Sequence, residues 1–124
     1  MAANRIFTLG PVILSATLTT NVFNCNVTSL AGPVGFTLTQ PYVVFYKVRI
    51  INKTGSAATF SFWKGLTGAN TAGTEVIGQG ISIAANSSFE DYGRWRFDAA
   101  DFLVGGAGTG SALTLVMEGE IGFS

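Results

Sequence analysis

A chain of 124 residues with zero net charge and 48% hydrophobic residues is long enough for one domain that buries about two-thirds of its surface, and needs no disulfide or metal staple to do so. An average soluble domain of this length would carry about 31 charged residues; here 7 basic and 7 acidic residues leave no basic stripe for nucleic acid. Histidine is absent and cysteine occurs once, which removes the commonest general base, the commonest metal ligand and any intramolecular disulfide.

In chain order, the apolar run from Arg5 to Ala16 has the outline of a signal peptide, but Thr8, Gly10 and Pro11 interrupt it and it reads as retained. No stretch reaches the roughly 18 apolar residues of a membrane helix. Residues 12–18, 21–27 and 35–39 are each expected to be extended, with a break at Ala31-Gly-Pro33, and Cys25 reads as a small core residue. These first 40 residues are the least regular and have room for an N-terminal arm. Residues 42–51 alternate: Tyr42, Val44, Tyr46, Val48 and Ile50 on one side, Val43, Phe45, Lys47 and Arg49 on the other. Turn residues 52–56 then lead to 59–64, which predicts a hairpin.

Residues 65–74 (GLTGANTAGT) lack an apolar period and read as a loop that is mobile or interface-forming. Extended structure resumes at 76–83. The Asn86-Ser-Ser88 turn leads into 89–97, with Phe89, Trp95 and Phe97 opposite Glu90, Tyr92, Arg94 and Arg96. Asp98-Ala-Ala-Asp101 suggests one helical turn capped by Asp98, residues 105–110 a glycine-rich loop, and 113–123 a closing strand with Glu118 and Glu120 on its polar side. The sum is an all-β chain of seven or eight short strands in one domain spanning 1–124, and turn spacing without helix-sized connections predicts an antiparallel two-sheet sandwich of jelly-roll type.

Chemistry-bearing constellations are sparse. Glu118 and Glu120 have a spacing that glycoside hydrolysis can use, but a cross-strand charge ladder with Arg94 and Arg96 accounts for all four. Asp98 and Asp101 lack the further oxygens of a calcium loop, and neither glycine run ends in the Gly-Lys-Ser/Thr of a phosphate loop. The sequons at Asn26, Asn52 and Asn86 are chance matches in an Asn/Ser/Thr-rich chain. The expectation is therefore no catalytic residue, no metal and no cofactor. Phe60, Phe62, Phe89, Phe97 and Phe123 fall on core parities. Phe45 and Trp63 do not: by parity they stand outside, as anchors for a partner, unless a loop folds over them or the sheet is covered on both sides. With Leu66 and Asn70 of the adjoining loop they form the candidate interface.

The residues Tyr42-Val-Val-Phe-Tyr-Lys-Val-Arg-Ile-Ile-Asn-Lys-Thr-Gly55, Ala58-Thr-Phe-Ser-Phe-Trp-Lys64, Ile83-Ala-Ala-Asn-Ser-Ser-Phe-Glu-Asp-Tyr-Gly93, Phe97-Asp-Ala-Ala-Asp-Phe-Leu103 and Leu113-Thr-Leu-Val-Met-Glu-Gly-Glu-Ile121 together resemble the jelly-roll head decoration, or cement, proteins of tailed phages. Those proteins share the succession of a strand ending in Asn-x-Thr, a strand opening on small residues, an Ala-Asn-Ser/Gly turn and an Asp-Ala-x-Asp turn. The resemblance implies a non-enzymatic virion protein, made in the host cytoplasm, that binds the major capsid protein on the outside of the shell as a homotrimer and stabilises it. It implies neither a nucleic-acid nor a membrane partner. Other virion roles in the tail or in head completion, and a carbohydrate- or receptor-binding sandwich, are the alternatives.

Overall fold

The computed structural model describes residues 5–24, 41–98 and 100–123, all in strands and their connections. Eight strands follow in order: β1 (Arg5–Ile13), β2 (Asn21–Asn24), β3 (Pro41–Asn52), β4 (Ala58–Gly65), β5 (Glu75–Ile83), β6 (Ser87–Asp98), β7 (Phe102–Ala107) and β8 (Leu113–Phe123). They form two antiparallel sheets of four, ordered β1-β8-β3-β6 and β2-β7-β4-β5. Only β4 and β5 are sequence neighbours within one sheet, and the other described connections cross between sheets. Eight strands wound in this order are a jelly roll, the double Greek key anticipated from the turn spacing.

The core lies between the sheets. Phe7, Phe23, Phe45 and Phe97 form an aromatic cluster with ring centroids 5.5–6.2 Å apart, and Phe60 stacks beside Phe62 and Phe89 at 5.6 and 5.0 Å. Tilted and edge-on contacts at these distances suit the ring quadrupoles. Val43, Val48, Ile50, Leu103, Leu113, Leu115 and Met117 fill the remainder with no exposure. Phe60, Phe62 and Phe97 are buried and Phe89 packs partly buried against them, as their parity predicts; the side chain of Phe123 lies outside the described residues.

Four expectations are corrected. The first strand is residues 5–13, not 12–18, and residues 14–20 instead cross to the second sheet. β3 and β4 are not a hairpin: β3 pairs with β6 and β8, and β4 with β5 and β7, so residues 53–57 form a corner between sheets. Both strands have an inner apolar face, so placing them in opposite sheets lets the two faces meet, which an adjacent pair cannot do. Asp98–Asp101 is a tight turn, closed by Asp101 N–H donating to Asp98 O at 2.9 Å and by Asp98 N–H donating to Asp101 Oδ2 at 2.8 Å. Residues 102–107, expected to be loop from Gly105 onward, are a buried central strand. Glycine is needed there because β7 is approached on both sides: a Cβ on Gly105 would collide with Ser61 O, and one on Gly106 with Ser15 O. Cys25 and the expected strand 35–39 lie outside the described residues.

The corner after β3 is held by one buried side chain. Asn52, with no exposure, donates Nδ2–H to Ser56 O at 2.9 Å, Ile83 O at 3.0 Å and Ala84 O at 3.3 Å. Its Oδ1 accepts from Thr54 N–H and Thr54 Oγ1. The β3–β4 and β5–β6 corners are thereby tied together, with Asn86 N–H to Thr54 O at 3.1 Å as a second link. The sequon at Asn52 is thus structural, its amide spent inside the fold.

Candidate functional site

Two surfaces differ sharply in chemistry. The first is the outer face of the β1-β8-β3-β6 sheet. Its polarity is set by a bulge in β3, where the register against both neighbours shifts between Phe45 and Lys47. Before the bulge the odd positions Val43 and Phe45 point inward; after it the even positions Val48, Ile50 and Asn52 do. Phe45 is therefore fully buried, not an outer anchor, while Tyr46 and Lys47 both reach the outer face. A strict two-residue period cannot show this. The bulge has its own signature: opposite it β8 carries Gly119, where a Cβ would collide with Val44 O.

Around the bulge the outer face alternates cations with tyrosines. Arg96 lies over the Tyr42 ring at 4.3 Å, Arg94 over Tyr46 at 5.5 Å and the Lys47 Nζ over Tyr92 at 5.8 Å. Arg49 pairs with Glu90 at 3.5 Å and Arg96 with Asp98 at 2.8 Å. Tyr46 donates its hydroxyl to Glu120 Oε2 at 3.0 Å. That hydrogen bond, then burial and the adjacent negative charge, raises the Tyr46 pKa above its ordinary 10.0, with Arg94 opposing. The expected direct ladder from Glu118 and Glu120 to Arg94 and Arg96 does not form. β3 runs between β8 and β6, with Val44 opposite both Glu120 and Arg96, so their backbones are two strand spacings, about 10 Å, apart. Both glutamates lie on an open sheet face, where the two depressions beside them measure about 120 and 230 Å³.

The second surface is the outer side of the β2-β7-β4-β5 sheet, and it is nearly devoid of charge. Neither β2 nor β7 contains Asp, Glu, Lys or Arg, nor do residues 65–74, and Lys64 and Glu75 stand at the ends of β4 and β5. The 66–74 loop turns back over this sheet instead of standing away from it. Asn21 on β2 donates Nδ2–H to Thr67 Oγ1 at 2.7 Å and accepts from Gly68 N–H at 2.7 Å, while Lys64 N–H donates to Thr74 O at 3.0 Å. Trp63, expected outside, is 4% exposed. Among the described residues its Nε1–H has no hydrogen-bond partner. Glu75, opposite Trp63 in register, has a carboxyl held below its ordinary range by its own backbone N–H and that of Gly73 at 2.9 Å, against a smaller desolvation effect. The Trp63 indole adds to the lowering without reaching hydrogen-bond geometry. Of the four candidate interface residues, Leu66 (72% exposed) and Asn70 are at the surface, and Phe45 and Trp63 are inside.

The described residues include no group of three His, Cys, Asp or Glu placed to hold a metal ion, and no helix long and apolar enough to cross a membrane. Asp98 and Asp101 are engaged by Arg96, Lys64 and the turn backbone.

The strand order and the buried face of each sheet define an eight-stranded jelly-roll sandwich. Among solved structures, the coat protein of Tobacco streak virus is similar in two crystal structures. One has TM-score 0.46 and 16% identity, covering 98% of this chain and 85% of that one. The other, of the coat protein dimer, has TM-score 0.43 and 13% identity with the same coverage. No family model matches the sequence, and no curated protein matches it.

Proposed function

We propose that this chain is a non-enzymatic structural component of a virion, and specifically a decoration protein that seats on the outside of a tailed-phage capsid and strengthens the shell. The major capsid protein is its partner and a homotrimer its working state. The carrying observation is the segregation of charge: one sheet face holds most of the charged side chains, while the loop-covered side of the other sheet has almost none and exposes Leu66. An uncharged surface loses little solvation when covered, and buried interface cores are depleted of charge in the same way. The jelly-roll strand order suits the role, and the turn succession that resembles that of decoration proteins supports a phage capsid as partner. Leu66 and Asn70 are the contact residues in this reading.

Co-sedimentation with capsid shells that lack the protein, from the virus that encodes it, tests this. The purified protein is expected to bind to saturation and delay thermal disruption of the shell, and Leu66→Asp to weaken binding at least about tenfold while leaving the fold intact. Absence of binding by the unaltered protein overturns the reading.

A further inference from the structure

We propose that the outer face of the β1-β8-β3-β6 sheet is a two-fold interface with a second copy of this chain, its axis running along the strands in the seam between β8 and β3. The proposal starts from the charges left over after the face has paired internally. Arg49 is matched by Glu90 and Arg96 by Asp98. Among the described residues, Glu118 has neither a hydrogen bond nor an ion pair, and Lys47 and Arg94 meet only tyrosine rings. The unmatched anion is on β8 and the unmatched cations are on β3 and β6, on opposite sides of one seam.

Lys47 and Glu118 are direct register partners across that seam, yet they are not within ion-pair distance of each other. This shared level along the strands fixes the geometry. Rotation by 180° about an axis in the seam keeps each residue's level and exchanges the sides, so Glu118 of one copy comes to face Lys47 of the other, and Lys47 faces Glu118. The same rotation lays β6 of one copy over β1 of the other. Tyr92 (68% exposed), at the level of Lys47 and Glu118, then lies over Thr8 of the other copy, which shares that level. One operation pairs both unmatched charges of the seam reciprocally, which is the self-complementarity an isologous contact requires. Two shallow depressions border the Lys47–Glu118 pair, one lined by Arg49, Ile51 and Val116 and the other by Ile6, Tyr46 and Glu120, and leave room for the facing side chains.

Four strands about 4.8 Å apart offer roughly 600 Å² per copy, near the lower limit for a specific contact, so association is weak and falls with added salt. The contact is distinct from any three-fold one and would join whatever unit that contact makes into pairs. It can form or fail without bearing on capsid binding, which is read with shells and not with the purified protein.

Sedimentation equilibrium at submillimolar protein and low salt tests it with charge reversals. The unaltered protein is expected to show twice the mass of Glu118→Lys and of Lys47→Glu, each of which opposes like charges across the axis. An equimolar mixture of the two variants is expected to regain the doubled mass, because every facing pair is then opposite in sign, and so is the double variant Lys47→Glu/Glu118→Lys alone. Circular dichroism of each variant verifies the fold. Equal masses for the unaltered protein and both single variants, or a mixture that stays at the single-variant mass, would overturn the proposal.

Discussion

At the scale of single residues, four positions carry sharp consequences. Gly119 sits opposite the β3 bulge with Val44 O and the Phe45 backbone where a Cβ would go. Backbone cannot rotate aside as a side chain can, so Gly119→Ala is expected to cost about 3 kcal/mol, read from the urea midpoint at unchanged slope. Asn52→Ala strands the carbonyls of Ser56, Ile83 and Ala84 and the N–H of Thr54 in a closed corner and is expected to cost about 3 kcal/mol by the same measurement. Tyr46 gives a titration test. Its hydrogen bond to Glu120 favours the protonated phenol, so its folded pKa lies above its unfolded one. The associated stability is complete below the unfolded pKa and is lost as pH rises through the folded value. Ultraviolet titration should find Tyr46 ionising later than an ordinary tyrosine, and Glu120→Gln should move it back. Glu75 has the opposite sign, contributing above its unfolded pKa and losing that contribution as pH falls through the folded one.

At the scale of elements, β7 is the strand that composition hides. Leu103, Val104 and Ala107 have no exposure, and β7 is hydrogen-bonded between β2 and β4. Its amides from 103 to 107 should therefore be among the slowest in the chain to exchange with solvent, whereas a glycine-rich loop would exchange at once. The contrast shows which parts of the fold a sequence makes legible. β4, β6 and β8 alternate cleanly enough that their inner residues follow from parity, and the Ala-Asn-Ser turn after β5 is real, with Asn86 at φ 55°. Three features were not legible. Glycine is the same letter whether it permits a turn or admits a neighbouring backbone, and only the packing of β7 against Ser61 and Ser15 tells the two apart. A bulge inverts parity downstream, so Tyr42 and Tyr46 were assigned inward and Phe45 outward. A short turn-rich segment such as 53–57 serves a hairpin or a corner equally well, and only the opposite sheet decides. Which candidate residues reach the surface was partly legible for the same reason. Leu66 and Asn70 were placed by the loop's composition, while the tyrosine–cation face depended on a register shift with no local signal beyond Gly119.

At the scale of the whole molecule, the low charge content proves to be a distribution. Most of the charge lies on one sheet face and at the ends of β4 and β5, while β2, β7 and the 66–74 loop on the other side carry none. A free monomer gains nothing from such one-sidedness, whereas a protein seated on a shell presents one side to its partner and the other to solvent or to a second copy. Cryo-electron reconstruction of virions from the virus that encodes this chain tests the account most directly. The account predicts the eight-stranded sandwich on the outer surface of the shell, with the 66–74 loop in contact and the tyrosine–cation face turned away; virions without it, or a sandwich seated through the tyrosine–cation face, would contradict it.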